Sequence, residues 1–202
     1  MIAAVVLAGG TSTRLGTPKQ LLSYRNEALV VAAVQTLITS RVDNTIVVLG
    51  HRAEEVREKL AHFPVDFVYN PDYANGQSTS IKAGLTRLGN SAAAALFALA
   101  DQPLLQTSTI DKIIAQYRLS GKYITAPFYR GQRGNPVLFD QKMFAALLAL
   151  SGDIGARKII ERCHHQMAEV EVDDMGVIFD IDTWEDYHRL TSFEQGVNTI
   201  EQ

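Results

Sequence analysis

Residues 2–19, IAAVVLAGGTSTRLGTPK, contain the stretch that decides the fold. Ile2–Leu7 is a short apolar run rich in β-branched residues, which predicts a buried strand. The run leads into a loop of glycine and hydroxyl residues that carries two cations, Arg14 and Lys19. Because glycines let backbone N–H groups approach an anion and the cations add full positive charge, this loop is predicted to bind polyphosphate. An ordinary glycine-rich turn with solvated charges is the alternative.

The spacing of the glycines excludes two common phosphate-binding loops. The dinucleotide fingerprint needs G-x-G-x-x-G, but Gly9 and Gly10 are adjacent and the next glycine is Gly16. The P-loop needs Gly-Lys followed by Ser or Thr, but Gly16 is followed by Thr-Pro. A third pattern remains, L-A-G-G-x-S-x-R-L-G-x-P-K.

The composition restricts the class of protein. A chain of 202 residues with 47% apolar and 20% charged residues is typical of a soluble globular protein. We expect one domain over residues 1–190, followed by a loose tail at 191–202. A net charge of −3 argues against non-specific binding to nucleic acid or anionic membranes. Cys163 is the single cysteine. No apolar run reaches the ~18–20 residues that span a bilayer, and no signal peptide is evident. A cytoplasmic location is therefore expected.

Apolar runs of strand length alternate with helical patterns along the chain. With short connections, this alternation predicts an α/β fold with a doubly wound, mostly parallel sheet. Two strands around a glycine-rich basic loop indicate a local antiparallel excursion. In such sheets ligands bind at the carboxyl ends of the strands. Strands are predicted at residues 45–49, 65–69, 94–100, 122–128, 137–139 and 169–173, and helices at 27–40, 52–62, 107–120 and 141–150.

Two places near predicted strand ends carry carboxylates. Asp101 directly follows the apolar run 94–100, which places it at the carboxyl edge of the sheet. Mg²⁺ prefers one or two carboxylates together with phosphate oxygens and water, so Asp101 is a candidate ligand, with a turn or cap role as the alternative. Asp180 and Asp182 occupy alternate positions, so both face the same side if the backbone is extended.

The glycine loop and several later segments resemble the signature of the molybdenum cofactor nucleotidyltransferases, the molybdopterin guanylyl- and cytidylyltransferases among the MobA-like NTP transferases. The later segments are G-x-S-x-S-x-x-x-G-L, D-Q-P, R-G-x-P-V, G-D-x-G-A-R and D-I-D-T-x-E-D. The resemblance implies a three-layer α/β/α, Rossmann-like fold. It also implies Mg²⁺-dependent transfer of a nucleotide from an NTP to the phosphate of a pterin-type acceptor, with release of pyrophosphate and a molybdoenzyme as recipient of the product.

The resemblance also implies roles for individual residues. Catalysis would involve Arg14, Lys19 and Asp101, and the metal would be held by Asp101 and Asp182, with Asp180 open as the second ligand instead. The residues expected to bind the nucleotide are Leu7, Ala8, Gly9, Gly10, Ser12, Arg14, Lys19, Asn70, Gly76, Gln77 and Ser78. Those expected on the acceptor side are Arg133, Gly134, Asn135, Pro136, Gly155 and Arg157.

The base and the acceptor stay open at this point. The middle and C-terminal segments favour CTP, whereas Leu-Ala-Gly-Gly at residues 7–10 is more typical of the branch that uses GTP. A nucleotidyltransferase for another phosphorylated acceptor, such as a sugar phosphate, is one alternative. A non-catalytic accessory protein that binds a nucleotide or cofactor for a molybdoenzyme is another. Near the C-terminus, Trp184 stands where the family has proline, and Thr183 is predicted to cap the final helix with Asp186 as its partner.

Overall fold

The computed structural model describes residues 1–89, 91–152 and 155–198. These ranges contain ten strands and seven α-helices. The strands are β1 (Ile2–Leu7), β2 (Ser23–Tyr24), β3 (Glu27–Ala28), β4 (Asn44–Leu49), β5 (Asp66–Tyr69), β6 (Ala94–Leu99), β7 (Ile124–Tyr129), β8 (Gln132–Arg133), β9 (Val137–Asp140) and β10 (Met167–Glu171). The helices are α1 (Leu29–Ile38), α2 (Ala53–Lys59), α3 (Gln77–Leu88), α4 (Thr107–Ser120), α5 (Phe144–Leu148), α6 (Arg157–Arg162) and α7 (Trp184–Asn198).

The main sheet has the strand order β10-β7-β9-β6-β1-β4-β5, with β8 paired to β7. Strand β1 pairs in parallel with β4 and β6, β4 pairs in parallel with β5, and β7 with β10. Strand β9 runs antiparallel to β6 and β7, and β8 runs antiparallel to β7. The predicted α/β class with a mostly parallel sheet and an antiparallel excursion is therefore confirmed.

Helices cover both faces of the sheet, which gives the predicted three layers. Ala4 and Val6 of β1 face a core shared with α1, α2 and α4, whereas Ala3 and Val5 face a core shared with α3, α5 and α6. Because both faces are buried, the central strands read as continuous apolar runs. Gly84 of α3 packs so closely against Val5 that a β-carbon would overlap a methyl group. No helix in the described ranges is long and apolar enough to cross a membrane.

A third apolar cluster joins the segment after β1 to the segment before α7. It brings together residues more than 160 positions apart in the chain, and it lies beside the carboxyl edge of the sheet. The backbone between α7 and the sheet is also fixed directly, because Ile181 N–H donates to the Asp101 carbonyl at 3.2 Å. The buried members are Leu15, Tyr24, Leu29, Phe179, Ile181 and Leu190.

The start of the first predicted helix differs from the structure. The helix predicted over 27–40 begins at Leu29, because β2 and β3 form a two-residue hairpin just before it. Such short strands carry no periodic pattern. Helix α3 begins directly after Gly76, whose φ of 102° favours glycine.

The predicted loose tail at 191–202 is partly wrong. Helix α7 continues to Asn198, so the first part of that segment is helical. The ring of Phe193 packs edge-on against Phe179, with ring centroids 5.9 Å apart, and this long-range contact favours continuation of the helix. Residues 199–202 lie outside the described residues.

Candidate active site

A cleft of about 730 Å³ opens at the carboxyl ends of β1 and β6. Strand β1 leads to β4 on one side, and β6 lies on its other side, so the strand order reverses here. Crevices at such reversals are the usual ligand sites of open α/β sheets. The cleft is lined by residues 7–14, Lys19, Gln20, residues 73–77, Ser80, residues 99–101, Asp180 and Asp182.

The loop after β1 contains backbone N–H groups that can donate hydrogen bonds to a ligand in the cleft. Within the described part of the chain, the N–H groups of residues 9–14 donate no hydrogen bond, and all six residues line the cleft. The N–H groups of Leu15 and Gly16 both donate to the Ser12 carbonyl at 3.1 Å, which closes a turn in which Ser12 has a φ of 54°. A row of N–H groups without protein partners beside two cations suits an anion such as a phosphate chain.

Three carboxylates face this loop. One oxygen each of Asp101, Asp180 and Asp182 lies within 4.8 Å of the others. The ammonium of Lys19 is paired with Asp101 and lies 2.6 Å from Oδ1 of Asp182. The guanidinium of Arg14 lies 3.2 Å from Oδ2 of Asp182, but its side chain is 75% exposed. Lys19 is therefore the one well-buried cation against three carboxylates in the described part of the site.

The pKa values reflect this shortage of positive charge. Burial raises the pKa of Asp101, and the nearby Lys19 ammonium opposes the rise without cancelling it. Burial also raises the pKa of Asp180, and the charges of Asp101 and Asp182 raise it further. Burial lowers the pKa of Lys19, but its contacts with Asp101 and Asp182 outweigh burial, so the pKa ends above its ordinary value. Added positive charge would stabilise this cluster.

The donor set fits a hard divalent cation. All three side chains offer carboxylate oxygens, which Mg²⁺ and Mn²⁺ accept, and the open cleft leaves room for phosphate oxygens and water. The predicted ligands Asp101 and Asp182 lie together, and Asp180 lies with them. The alternate spacing of Asp180 and Asp182 predicts this arrangement, since the intervening Ile181 is fully buried.

The start of α7 fixes the backbone at Asp182. The hydroxyl of Thr183 donates to Oδ2 of Asp186 at 2.7 Å, and Asp186 N–H donates back to Thr183 Oγ1 at 3.2 Å. The N–H groups of Asp182 and Thr183 also donate to Asp186, at 3.3 and 2.9 Å. Burial acts to raise the pKa of Asp186, but the hydrogen bonds from Thr183 outweigh it and lower the pKa. The predicted capping pair is confirmed, and it holds the residue that follows Asp182.

The segment before α3 splits the predicted nucleotide residues into two groups. Gly76 and Gln77 line the cleft. Asn70 is buried and donates to the hydroxyls of Thr79 and Ser80, at 2.9 and 3.1 Å. Ser78 is likewise buried, and its N–H donates to the carbonyl of residue 152 at 3.3 Å. Asn70 and Ser78 thus support the loop, and the side chains that face the cleft are their neighbours.

The residues predicted on the acceptor side lie outside the cleft lining that the structure describes. Burial lowers the pKa of Arg133, and the charge of nearby Arg157 lowers it further against the opposing charge of Glu161. Gly155 lies against the Gln77 side chain, which leaves no space for a β-carbon. The segment therefore contacts the lining of the cleft through Gln77. The remaining acceptor-side predictions, on the loop between β8 and β9, are Gly134, Asn135 and Pro136, where the Asn135–Pro136 bond is cis.

Sequence reasoning missed several residues of the cleft. Gln20 is 2% exposed and contacts the glycine loop from the protein interior. Its side chain is uncharged, so a sequence search for cations and carboxylates does not find it. Tyr73 and its two neighbours line the cleft from the connection between β5 and α3. Thr11 and Thr13 lie inside the signature, at positions where it tolerates any residue.

The fold and the site together define an α/β protein whose cleft, at the carboxyl edge of the sheet, is lined by a glycine loop, two cations and three carboxylates. Residues 4–170 match the model of a family described as the MobA-like NTP transferase domain. The chain therefore belongs to this family and is a nucleotidyltransferase of the MobA-like type.

Two characterised relatives are similar over nearly their whole length. Nicotine blue oxidoreductase of Paenarthrobacter nicotinovorans is 31% identical over 196 residues, which cover 94% of this chain and 96% of the relative. Molybdenum cofactor cytidylyltransferase of Escherichia coli (strain K12) is 26% identical over 189 residues, which cover 92% and 93%. Similarity therefore extends across the whole fold, although the two relatives carry different names.

Solved structures agree with the fold over the same length. The homologue of Rv0371c from Mycobacterium sp. strain JC1 has a TM-score of 0.85 and 35% identity, with 96% of this chain and 97% of that chain covered. Rv0371c of Mycobacterium tuberculosis H37Rv, solved in complex with manganese, has a TM-score of 0.80 and 32% identity, with 94% and 97% covered. A nucleotidyl transferase from Methanothermobacter has a TM-score of 0.82 and 26% identity, with 94% and 95% covered. A divalent cation thus occurs in a protein of this fold.

Proposed function

We propose that the protein transfers a nucleoside monophosphate from an NTP to the phosphate of a molybdopterin-type acceptor and releases pyrophosphate. One observation supports this most: three carboxylates and the Lys19 ammonium face a loop in which the N–H groups of residues 9–14 have no partner within the described residues. This arrangement provides cation ligands and phosphate donors in one cleft. The expected location is the cytoplasm.

The residues of the loop would bind the triphosphate. Backbone N–H groups of Gly9, Gly10 and neighbouring residues would donate to phosphate oxygens. Lys19 and Arg14 would neutralise the negative charge that grows on the α-phosphate and on the departing pyrophosphate. Since that charge increases toward the transition state, the loss of either cation should affect rate more than binding.

Asp101 and Asp182, with Asp180 as the alternative partner, would hold Mg²⁺, which neutralises phosphate charge and orients the phosphates when bound. The acceptor phosphate attacks the α-phosphorus, the new P–O bond forms, and the bond to pyrophosphate breaks. A phosphate monoester is already an anion near neutral pH, so the reaction needs positioning and charge neutralisation more than a general base. Lys19 would exchange a carboxylate for a phosphate oxygen as the substrate enters.

The base is proposed to be cytosine, with guanine as the alternative. Similarity to the E. coli cytidylyltransferase supports CTP, and Gly76 and Gln77 lie at the part of the cleft where the resemblance places the base. The Leu-Ala-Gly-Gly form of residues 7–10 supports GTP. The acceptor is proposed to approach from the side of Arg133 and Arg157, whose charges are close enough to affect each other.

The second candidate is a non-catalytic accessory protein that binds a nucleotide or cofactor for a molybdoenzyme, and it is kept because a relative that is 31% identical is not named a transferase. One assay separates the two. Purified protein is supplied with Mg²⁺ or Mn²⁺, each of the four NTPs and a molybdopterin-type acceptor, and pyrophosphate release and the mass of the product are measured. We expect turnover with CTP. Binding without turnover for any NTP would favour the accessory role, and turnover with a sugar phosphate instead would identify a different acceptor.

The matched variants for this assay are Asp101→Asn and Asp173→Asn. Both remove one negative charge with little change in size, but Asp173 is exposed and lies outside the cleft. We expect Asp101→Asn to reduce turnover at least about a hundredfold, the scale seen when one transition-state contact is removed. Asp173→Asn should leave turnover unchanged. Full activity in Asp101→Asn would contradict the assignment of Asp101.

A further inference from the structure

Gln20 contacts the phosphate loop from inside the protein. Its amide nitrogen lies 3.3 Å from the carbonyl of Ala8, 3.4 Å from that of Gly10 and 3.5 Å from that of His51. The side chain is 2% exposed, and its contact with Ala8 is buried, whereas those with Gly10 and His51 are partly buried. An amide nitrogen carries two hydrogens, and three carbonyls share them here. One neutral side chain thus holds both ends of the turn formed by residues 8–10 and the adjoining loop after β4.

These contacts fix the direction of the neighbouring N–H groups. In a trans peptide unit the C=O and the following N–H point in opposite directions. Because the carbonyls of Ala8 and Gly10 are turned toward Gln20, the N–H groups of Gly9 and Thr11 are turned away from it. Both residues line the cleft, and in the described part of the chain neither N–H donates to a protein group. Gln20 therefore determines which loop groups an incoming anion meets.

The second end of the Gln20 amide connects the loop to Lys19. Ser12 Oγ donates to Gln20 Oε1 at 3.4 Å and accepts from the backbone N–H of Lys19 at 2.9 Å. Lys19 in turn reaches the carboxylate cluster through Asp182. The amide nitrogen donates to the glycine loop and the amide oxygen accepts from Ser12. The side chain at position 20 must therefore provide a donor and an acceptor at once.

Neither an apolar nor an acidic side chain of similar size would replace this amide. Methionine would fill the space, but it would leave the buried carbonyl of Ala8 and the partly buried carbonyl of Gly10 without this donor. Glutamate would keep the oxygen for Ser12, but as a carboxylate it would repel the carbonyls and release the loop from its orientation. Asparagine is one methylene too short to reach all these groups. The chemistry of the position calls for glutamine.

We propose that Gln20 is a positioning residue that aims the loop N–H groups at the polyphosphate of the substrate. The inference rests on the proposed function in identifying the anion as a polyphosphate. It does not require a particular base or acceptor, because the contacts concern the phosphate loop alone. Gln20 acts through the backbone, with its own polar atoms turned toward protein groups.

The test measures binding of Mg²⁺-pyrophosphate by calorimetry to the wild type, Gln20→Met and Gln20→Glu. We expect the dissociation constant to rise about ten- to a hundredfold in both variants. With NTP as substrate, KM should rise more than kcat falls, because the loop binds the phosphates in the ground state as well as in the transition state. Thr109→Val is the matched control, since it removes a buried hydrogen bond of 2.7 Å to Asp174 away from the cleft. It should lose stability and keep its affinity for pyrophosphate.

A measurement on the wild type covers the case in which the variants do not fold. In a ¹⁵N–¹H spectrum, the amide signals of Gly9 and Thr11 should shift when Mg²⁺-pyrophosphate is added. Shifts confined to other residues would overturn the inference, and so would equal pyrophosphate affinity in Gln20→Met and the wild type. If the wild type binds no pyrophosphate, the proposed function fails with it. If Gln20→Met binds weakly but no NTP supports turnover, the inference stands and the proposed reaction alone fails.

Discussion

Replacement of Lys19 by methionine would test the charge balance of the cleft without measuring activity. Methionine keeps most of the length and volume of the side chain and removes its charge. The Lys19 side chain is 21% exposed, and its partner Asp101 is 8% exposed, so water compensates little for the lost ion pair. The variant leaves three carboxylates within 4.8 Å of one another with the exposed Arg14 as the nearest remaining cation.

The expected loss of stability has an upper limit that follows from protonation. Breaking a buried ion pair usually costs about 3–5 kcal/mol, because an uncompensated charge stays behind. Asp101 can avoid this cost by binding a proton, which neutralises the carboxylate. With an unfolded pKa of about 3.9 and 1.36 kcal/mol for each pH unit, protonation costs about 4 kcal/mol at pH 7 and about 1.5 kcal/mol at pH 5. The loss in Lys19→Met should therefore be about 3–4 kcal/mol at pH 7 and shrink as the pH falls.

The sign of this pH dependence is fixed by linkage. Burial already raises the pKa of Asp101, and removal of Lys19 takes away the effect that opposes the rise. Between the unfolded pKa and the raised folded pKa, the native state then binds more protons than the unfolded state. The stability of the variant accordingly increases as the pH is lowered from 7 toward 5. The difference in unfolding free energy between the variant and the wild type therefore shrinks over the same pH range.

The assay is urea denaturation at pH 7 and pH 5, with and without Mn²⁺. For a chain of this size a loss of 3–4 kcal/mol lowers the melting temperature by roughly 6–16 °C, so thermal unfolding provides a second readout. Mn²⁺ should restore more stability to Lys19→Met than it adds to the wild type, since no ammonium competes for the carboxylates. Arg14→Met is the matched control. It removes a cation that also contacts Asp182, but the Arg14 side chain is 75% exposed, so this pair should contribute no more than about 1 kcal/mol.

Two results would refute this reasoning. A loss below about 1 kcal/mol in Lys19→Met would mean that the carboxylates do not need the ammonium in the folded chain. Equal losses in Lys19→Met and Arg14→Met would mean that burial does not distinguish the two ion pairs.

Three further substitutions test other parts of the structure. Gly84→Ala forces a β-carbon against a methyl group of buried Val5, so we expect a loss of about 1–3 kcal/mol in urea denaturation, and an unchanged midpoint would contradict the packing. Tyr117→Phe removes a 2.7 Å hydrogen bond to the carboxylate at the end of β9, which should cost about 1–2 kcal/mol in the same assay; equal stability would show that water replaces the bond. Thr183→Ala removes the α7 cap and should cost about 1 kcal/mol at pH 7. Hydrogen bonds from Thr183 outweigh burial and lower the pKa of Asp186, so the advantage of the wild type is full above the unfolded pKa of about 3.9 and is lost as the pH falls through the lower folded pKa; identical acid-unfolding curves would contradict it.

The strands and the edge that carries the site could be predicted because a covered parallel sheet leaves a plain signal. A strand buried on both faces reads as one apolar run, and the first polar residue after it must lie at a strand end. This reasoning brings the glycine loop and Asp101 to the same edge of the sheet. The alternation of Asp180 and Asp182 likewise predicts that the two face one side. For these residues, the local sequence pattern and the folded structure give the same position.

Other features depend on contacts that local sequence does not encode. Lys19 meets Asp182 across 163 positions, and no periodic pattern reports a distance of that kind. The continuation of α7 depends on the contact between Phe193 and Phe179, whereas the local sequence has weak helical periodicity. Gln20 carries no charge and sits next to a conspicuous lysine. Its role becomes visible only when the carbonyls around its amide are located.

The packing beside the cleft explains how three carboxylates stay together despite their repulsion. Ile181 lies between Asp180 and Asp182 and is fully buried in the apolar cluster that also contains Leu15 of the loop after β1. The positions of the carboxylates are therefore set by apolar burial and by the capped start of α7. Repulsion within the cluster lowers the stability of the cation-free chain, and a divalent cation that binds the folded state recovers it in proportion to the logarithm of its concentration over its dissociation constant. Metal affinity and unfolding free energy thus measure the same cluster, and a substitution that loosens Ile181 should weaken both together.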